Sequence, residues 1–290
     1  LLGNALRGKS DLLVVEADES DGSLVRYRPW LGVLLNLGKD HKEVSELAAI
    51  FRTFRSQCPR FVVNGDAANL AEYRETREGS APATFGFSPD CSLRGEGLLL
   101  SPGSVRFSAR GVPFSLPLDG KHNAENALAA AAACLEAGVS LEESARALSS
   151  YRGVSRRFEL IGESRGVIVI DDYAHNPDKV RAALAAAQLR SGRVLAVYQP
   201  HGFAPTRYLK NELIEAFAEG LRPEDRLWLA DIYYAGGTVS KDVSSRDLAE
   251  PLRARGRNAF HVPERASIIA EVAAQAREGD LVLVMGARDP

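Results

Sequence analysis

The chain has 290 residues, 45% of them hydrophobic and 26% charged, the makeup of an ordinary globular protein long enough for two domains, each with its own core. A formal net charge of −2 gives no electrostatic reason to bind nucleic acid or an anionic membrane. Cys58, Cys91 and Cys134 are odd in number and widely spaced, which argues against a disulfide framework or a zinc site and fits a reducing cytoplasm. No apolar stretch is long enough to cross a bilayer, and the Ala-rich run Ala127 to Leu135 is too short. The chain begins Leu1-Leu2-Gly3 without a methionine, so it reads as a fragment whose own N-terminus lies upstream. Oligomeric state is not legible from the sequence.

In chain order, Gly3 to Ser10 fits G-x-x-x-x-G-K-[ST] letter for letter. A working phosphate loop follows a strand and opens a helix. Here the run from Asp11 to Glu16 reads as a strand that comes after it, so the match is rejected as a surface turn. Leu12 to Ala17 is the first expected strand, ending in Asp18-Glu19-Ser20-Asp21. Trp30 to Asn36 is the second, ending in Lys39-Asp40-His41. Together they bring Glu19 and His41 to one rim, a geometry suited to a divalent cation beside a nucleotide. Mg²⁺ takes one or two protein ligands and completes its shell with water and phosphate oxygens. Chemistry alone fits His41 equally as a ligand or as a hydrogen-bonded residue at a helix start, and Asp18 and Asp21 equally as turn acids or caps.

Glu43 to Phe54 carries Val44, Leu47, Ile50, Phe51 and Phe54 on one helical face. Arg60 to Asn64 reads as a strand and Ala67 to Tyr73 as a helix. Ala83 to Pro117, with its Ser-Pro and Gly-rich breaks, reads as a small antiparallel meander. Asn123 is expected to cap the next helix, which runs through Glu136. Asn126, one turn on, is placed to offer its amide to a purine edge or to solvent. A helix from Leu141 to Leu148 leads to a linker around Tyr151 to Ser155.

Beyond the linker, strands and helices alternate with the period of right-handed βαβ crossovers. Gly166 to Ile170 is an unbroken β-branched run expected to be a strand buried on both faces. It delivers Asp172, Tyr173 and His175 to its carboxyl end, where open α/β sheets bind ligands. Asn176-Pro177-Asp178 then starts a helix. Strands Arg193–Tyr198, Arg226–Ala230, Asn258–Val262 and Leu281–Met285 follow, separated by helices Arg207–Glu219, Arg246–Ala254 and Glu264–Arg277. His261 reads as structural.

Arg156-Arg157-Phe158-Glu159, a short hairpin and Asp171-Asp172-Tyr173-Ala174-His175-Asn176-Pro177 resemble the start of the C-terminal domain of the Mur ligases, the ATP-dependent amide-forming enzymes of peptidoglycan synthesis. The resemblance takes in Val15 to Asp21, Lys39-Asp40-His41, Gly120 to Asn126 and Gln199-Pro200-His201, covers nearly the whole chain in the family's order, and is greatest to the alanine-adding members. It implies an α/β fold of two domains: a central mixed-sheet, ATPase-like domain with a small antiparallel meander over 1–154, and a C-terminal Rossmann-like parallel-sheet domain over 155–290. It implies ATP and Mg²⁺, with a UDP-N-acetylmuramate-type nucleotide sugar and a small amino acid as partners.

Carried over position by position, the resemblance gives the metal and its catalytic role to Glu19 and His41 and adenine contacts to Asn123 and Asn126. It gives the nucleotide to Arg157 and its ribose to Asp172. Tyr173, His175 and His201 go to the incoming amino acid, His175 also being a catalytic candidate. The true phosphate loop lies upstream of the matched region in that family, so the fragment alone is expected to be inactive.

Three departures stand out. Gly202 and Pro205 occupy positions where the alanine-adding members have arginines, one of which clamps the amino acid's carboxylate. Such a job suits a guanidinium and leaves Arg207 as the substitute. No lysine occurs between Lys42 and Lys121, and Lys42-Glu43-Val44 lacks the family's usual Met and acidic residue. Two readings stay open: part of a ligase, or a Mur-ligase-like binding or regulatory module.

Overall fold

The computed structural model describes residues 8–39, 42–76, 81–234, 236 and 238–286. The first half of the chain builds a six-stranded sheet in the order β1-β2-β3-β4-β5-β6. Its strands are β1 (Leu31–Leu34), β2 (Arg60–Asn64), β3 (Ala83–Gly86), β4 (Leu93–Ser101), β5 (Ser104–Ala109) and β6 (Val112–Leu116). β1 to β4 are parallel, and β4, β5 and β6 are antiparallel. The meander is therefore shorter than the turn signals suggested, because β3 belongs to the parallel part.

Helix α1 (Val44–Ser56) buries Leu47, Phe51 and Phe54 against Phe61 and Val63 on one face of this sheet. Helix α2 (Lys121–Glu136) lays Ala124, Ala127, Leu128 and Ala131 against Val62, Phe85 and Phe107 on the other. Helix α3 (Leu141–Ser149) starts in a capping box between Ser140 and Glu143, which satisfies two otherwise orphaned backbone donors.

Four local expectations fail. Residues 11–19 contain neither strand nor helix, and Val14 is 94% exposed. β1 is the outermost strand of its sheet among the described residues, so this apolar run has no ladder to join, and a strand exists only with a partner. Glu19 consequently sits in a loop, with Gly22 N–H donating to its carbonyl at 3.1 Å, rather than at a strand end. Residues 68–74 wind as a 3₁₀ helix. The cap of α2 is Gly120, with φ at 85°, and Asn123 lies inside the first turn. Of the rejected phosphate-loop match, Gly3 to Arg7 lie outside the described residues, while Gly8, Lys9 and Ser10 are exposed and no helix follows them.

The second half forms another six-stranded sheet, in the order β11-β10-β9-β12-β8-β7. Here β7 is Glu159–Ser164, β8 Val167–Asp172, β9 Arg193–Gln199, β10 Arg226–Leu229, β11 Asn258–His261 and β12 Asp280–Gly286. Every neighbouring pair is parallel except β7 with β8. Helices α4 (Pro177–Arg190), α5 (Phe203–Gly220) and α6 (Arg246–Ala254) cover one face, and α7 (Arg265–Gln275) lies on the other. α7 returns the chain from the outer strand β11 to β12, between β9 and β8. That reversal of direction places a crevice at the carboxyl ends of the central strands.

Alternation within the strands follows this layering. Ile170 and Leu283 face the α4–α5 side, while Val282 packs with Ile268 and Val272 of α7. β8 is not buried on both faces as its composition suggested. Val167 and Val169 are half-buried and line an apolar groove of about 770 Å³ beside α7, because that single helix does not cover the whole face. Among the described residues no helix is long and apolar enough to cross a membrane.

Candidate active site

β8 ends in Asp171 and Asp172, and the pleat sends their side chains to opposite faces. Asp171 is buried and its Oδ2 accepts from Arg156 Nε at 3.0 Å. Asp172 Oδ2 accepts from the backbone N–H of Phe158 at 2.8 Å. Burial pushes the Asp172 carboxyl above its ordinary range, against the pull of the Phe158 and Ala174 N–H groups and the Arg157 charge. Arg156 and Phe158 both hold positive φ, 61° and 53°, strain that L side chains accept only where surroundings compel it. The compelling contacts are these two carboxylates, together with the Tyr173 N–H donating to the Arg156 carbonyl at 2.7 Å.

The result is a stack of π faces and cations. Arg156 and Arg157 each place a guanidinium over the Tyr173 ring, at 5.1 and 5.3 Å from its centroid. Tyr173 in turn meets the His175 ring edge-on at 5.4 Å. A carbonyl can only accept, so His175 Nδ1 donates to the Tyr173 carbonyl at 2.9 Å, and Nε2 carries the lone pair. Lys179 Nζ lies 3.4 Å from that Nε2. Helix α4 begins immediately beyond, with Asn176 Oδ1 accepting from Lys179 N–H and Pro177 in the first turn, as the Asn-Pro-Asp run predicts.

The neighbouring strand ends are laced to this cluster. Tyr198 Oη at the end of β9 donates to the His175 carbonyl at 3.2 Å, and Arg156 Nη2 donates to the Gly286 carbonyl at 3.2 Å at the end of β12. His201 stacks on Tyr233, with centroids 5.2 Å apart and planes 12° from parallel. Tyr233 N–H donates to the Pro200 carbonyl and Gly202 N–H to the Tyr233 carbonyl.

Gly202 has φ at 80° and caps α5, while Pro205 lies in the first turn of that helix. An arginine in place of Gly202 would carry a side chain in the left-handed region. Arg207 lies one turn inside α5 rather than at its start. Its guanidinium is exposed and paired with Asp242, Nε at 2.9 Å from Oδ1, with Nη2 donating to the Ser240 carbonyl at 3.0 Å.

The other expected site residues are dispersed. Asn123 Nδ2 donates to the Asp119 carbonyl at 2.7 Å, so its amide is engaged locally, while Asn126 is exposed on α2. Glu19 is half-buried in its loop, and His41 lies outside the described residues. Among the described residues no three His, Cys, Asp or Glu side chains group as a metal site, and Mg²⁺ held mainly by phosphate and water does not require one. His261 Nε2 meets Asp231 Oδ1 at 2.7 Å, consistent with a structural part.

Sequence reasoning gave no part to Arg156 or Lys179. The doubled arginine was visible, but which of the two turns inward depends on the left-handed backbone at Arg156, which no local pattern announces.

Residues 1–134 match the Mur ligase middle domain and residues 156–288 the Mur ligase, glutamate ligase domain. The chain belongs to the Mur ligase family. A UDP-N-acetylmuramate–L-alanine ligase from Synechococcus sp. (strain RCC307) is 38% identical over 306 residues, covering 99% of this chain and 62% of that protein. This Mur ligase chain therefore spans about three fifths of the relative's length. The crystal structure of UDP-N-acetylmuramate-alanine ligase from Thermotoga maritima superposes with a TM-score of 0.72 at 22% identity, over 94% of this chain and 59% of that one. A MurF ligase from Thermotoga maritima solved in complex with ADP has a TM-score of 0.69 at 19% identity, over 92% of this chain and 61% of that one. These likenesses confirm two α/β units, each on its own sheet.

Proposed function

We propose that this chain forms the central (1–154) and C-terminal (155–290) domains of an ATP-dependent ligase that joins a small amino acid to the carboxylate of UDP-N-acetylmuramate in peptidoglycan precursor synthesis, in the cytoplasm. The observation that carries this reading is the cluster Arg156, Arg157, Asp172, Tyr173 and His175 at the carboxyl end of β8, together with the family match on both halves of the chain. Phosphoryl transfer is mostly a matter of positioning and charge neutralisation, and the cluster supplies a carboxylate, cations and no activated serine or cysteine.

In this reading ATP's γ-phosphoryl group passes to the sugar carboxylate, giving an acyl phosphate and ADP, and the amino acid's amine then attacks the acyl carbon, losing a proton and expelling inorganic phosphate. Asp172, which already accepts from the Phe158 and Ala174 N–H groups, offers a further lone pair to a ribose hydroxyl, Arg157 faces the nucleotide's negative charge, and Asn123 and Asn126 border the base. Glu19 and His41 would hold Mg²⁺, which would neutralise phosphate charge. His175 Nε2 is the base for the incoming ammonium group once Lys179 Nζ, 3.4 Å away, yields that contact, and Tyr173 and His201 are assigned to the same amino acid.

Gly202 and Pro205 remove the arginines of the alanine-adding members, so the amino-acid pocket is reshaped around Arg207, and glycine, L-serine or a short peptide joins L-alanine as a candidate. The test is a ligation assay on the intact protein with UDP-N-acetylmuramate, ATP and each amino acid in turn. Release of one ADP per amide bond formed is expected; no ATP-dependent product with any of them would return the chain to a binding module.

A further inference from the structure

Where the two sheet units meet, one contact is buried and built. Arg190, the last residue of α4, donates from Nε to Asp119 Oδ1 at 2.7 Å and from Nη2 to Oδ2 at 2.8 Å. Side-chain exposures are 17% and 6%. Asp119 stands between β6 and α2. Its Oδ1 also accepts from Gly103 N–H at 2.8 Å, and its carbonyl holds Asn123 Nδ2. Two glycines make room for the seam. A Cβ on Gly103, at φ 67°, would meet Arg190 Nη2 at 3.2 Å, and one on Gly120 would meet Ala186 of α4 at 3.4 Å and His122 at 2.7 Å.

A second polar contact across the units is more exposed. Lys39 Nζ meets Glu212 Oε1 at 2.8 Å and lies 4.1 Å from the Tyr208 ring centroid, with exposures of 25% and 41% for the ion pair, where solvent screens the charges. A bidentate arginine–carboxylate pair with a further N–H on the same carboxylate fixes direction as well as distance.

We propose that Arg190 is a positioning residue of the ligase, the pivot that sets the β8 cluster against the α2 end of the central unit. The proposal rests on the functional reading above. α4 carries the Asn176-Pro177 start of the motif at one end and Arg190 at the other, a rod of roughly 21 Å at about 1.5 Å per residue. A tilt of roughly 3° about one end of such a rod moves the other by about 1 Å, and a misplacement of that size can slow catalysis by about 100-fold. Asp119 receives Arg190 on its carboxylate and Asn123 Nδ2 on its backbone carbonyl, so one residue ties the two proposed nucleotide-facing elements together.

The test uses the intact ligase with spin labels at Leu99→Cys and Ile269→Cys, both exposed, in a Cys134→Ala background. Cys58 and Cys91 are buried, and burial pushes their thiols up to about 11, so they stay unlabelled at neutral pH. Arg190→Met is expected to broaden the inter-label distance distribution and lower kcat at least tenfold, with unfolding midpoint read in parallel. Arg190→Lys, which keeps the charge and loses the second bond, gives an intermediate result and replaces the methionine variant if that one fails to fold. The exchange Arg190→Asp with Asp119→Arg is expected to narrow the distribution again. A distribution as narrow as wild type in the folded single variants, or a broadened one with kcat unchanged, overturns the proposal. The distance measurement needs no activity, so it separates failure of the pivot from failure of the ligase reading.

Discussion

Arg156 Nε, three residues before β7, meets Asp171 Oδ2 of β8 at 3.0 Å, and this ion pair turns Arg156 toward the carboxyl end of the sheet. Asp171 is 9% exposed at its side chain and Arg156 22%. Breaking a buried pair by neutralising one partner leaves the other charge uncompensated, at a cost of about 3–5 kcal/mol, the lower end applying here because Arg156 also reaches the Gly286 carbonyl. Asp171→Asn should therefore lower the unfolding free energy by about 3 kcal/mol in chemical denaturation. A loss under about 0.5 kcal/mol, the level of an ordinary surface substitution, would show that the hairpin is held by something else.

How much of this was legible beforehand differs between the two halves. The C-terminal βαβ units were readable because each strand is a continuous apolar run and each helix has a start signal such as Asn176-Pro177. Leu12 to Val15 misled for the same reason: the run has strand composition, but pairing is a tertiary fact and β1 has no partner on that side among the described residues. Within the site, Asp172, Tyr173 and His175 were placed correctly by one strand's end. The Arg156 inward turn rests on positive φ, and the Arg207–Asp242 pair joins residues 35 positions apart, so neither leaves a mark in local spacing.

Arg207 is engaged by Asp242 in this structure, which sharpens the carboxylate-clamp hypothesis. To hold an amino acid, Arg207 must exchange the Asp242 carboxylate for the substrate's. Arg207→Ala should raise the amino-acid KM alone, and Asp242→Asn should lower it by freeing the guanidinium. If neither substitution moves that KM, Arg207 is a surface partner of Asp242 and the clamp lies elsewhere.

Glu19 and His41 are proposed to hold Mg²⁺. Glu19→Ala and His41→Ala should each shift the Mg²⁺ concentration for half-maximal turnover upward, and the Glu19 variant should keep its unfolding midpoint because Glu19 sits in a loop. Identical Mg²⁺ titrations in wild type and both variants would remove the metal from these residues.

His122 supplies a pH signature. Burial holds its imidazole below the ordinary 6.5, opposed by Glu125 and Asp119, and its Nε2 accepts from Asn123 Nδ2 at 3.2 Å, a bond that protonation would remove. The unfolded chain takes the proton more readily than the folded one. The contribution is therefore fully present above about pH 6.5 and is lost as pH falls through the lower folded value. Urea midpoints should fall between pH 8 and pH 5.5, and His122→Gln should flatten that fall. An equal slope in the variant would assign the pH dependence to other groups.

The central claim is that the carboxyl end of β8 binds nucleotide, and Asp172 is where it is most exposed to test. A hydrogen bond from a ribose hydroxyl to a charged group contributes about 1.5–3 kcal/mol. The direct measurement is equilibrium binding of a fluorescent ADP analogue, with Mg²⁺, to the intact protein and to its Asp172→Asn variant. The account predicts saturable binding in wild type and a roughly ten- to hundredfold weaker dissociation constant in the variant, with the unfolding midpoint retained. Equal affinity in the two proteins would contradict it.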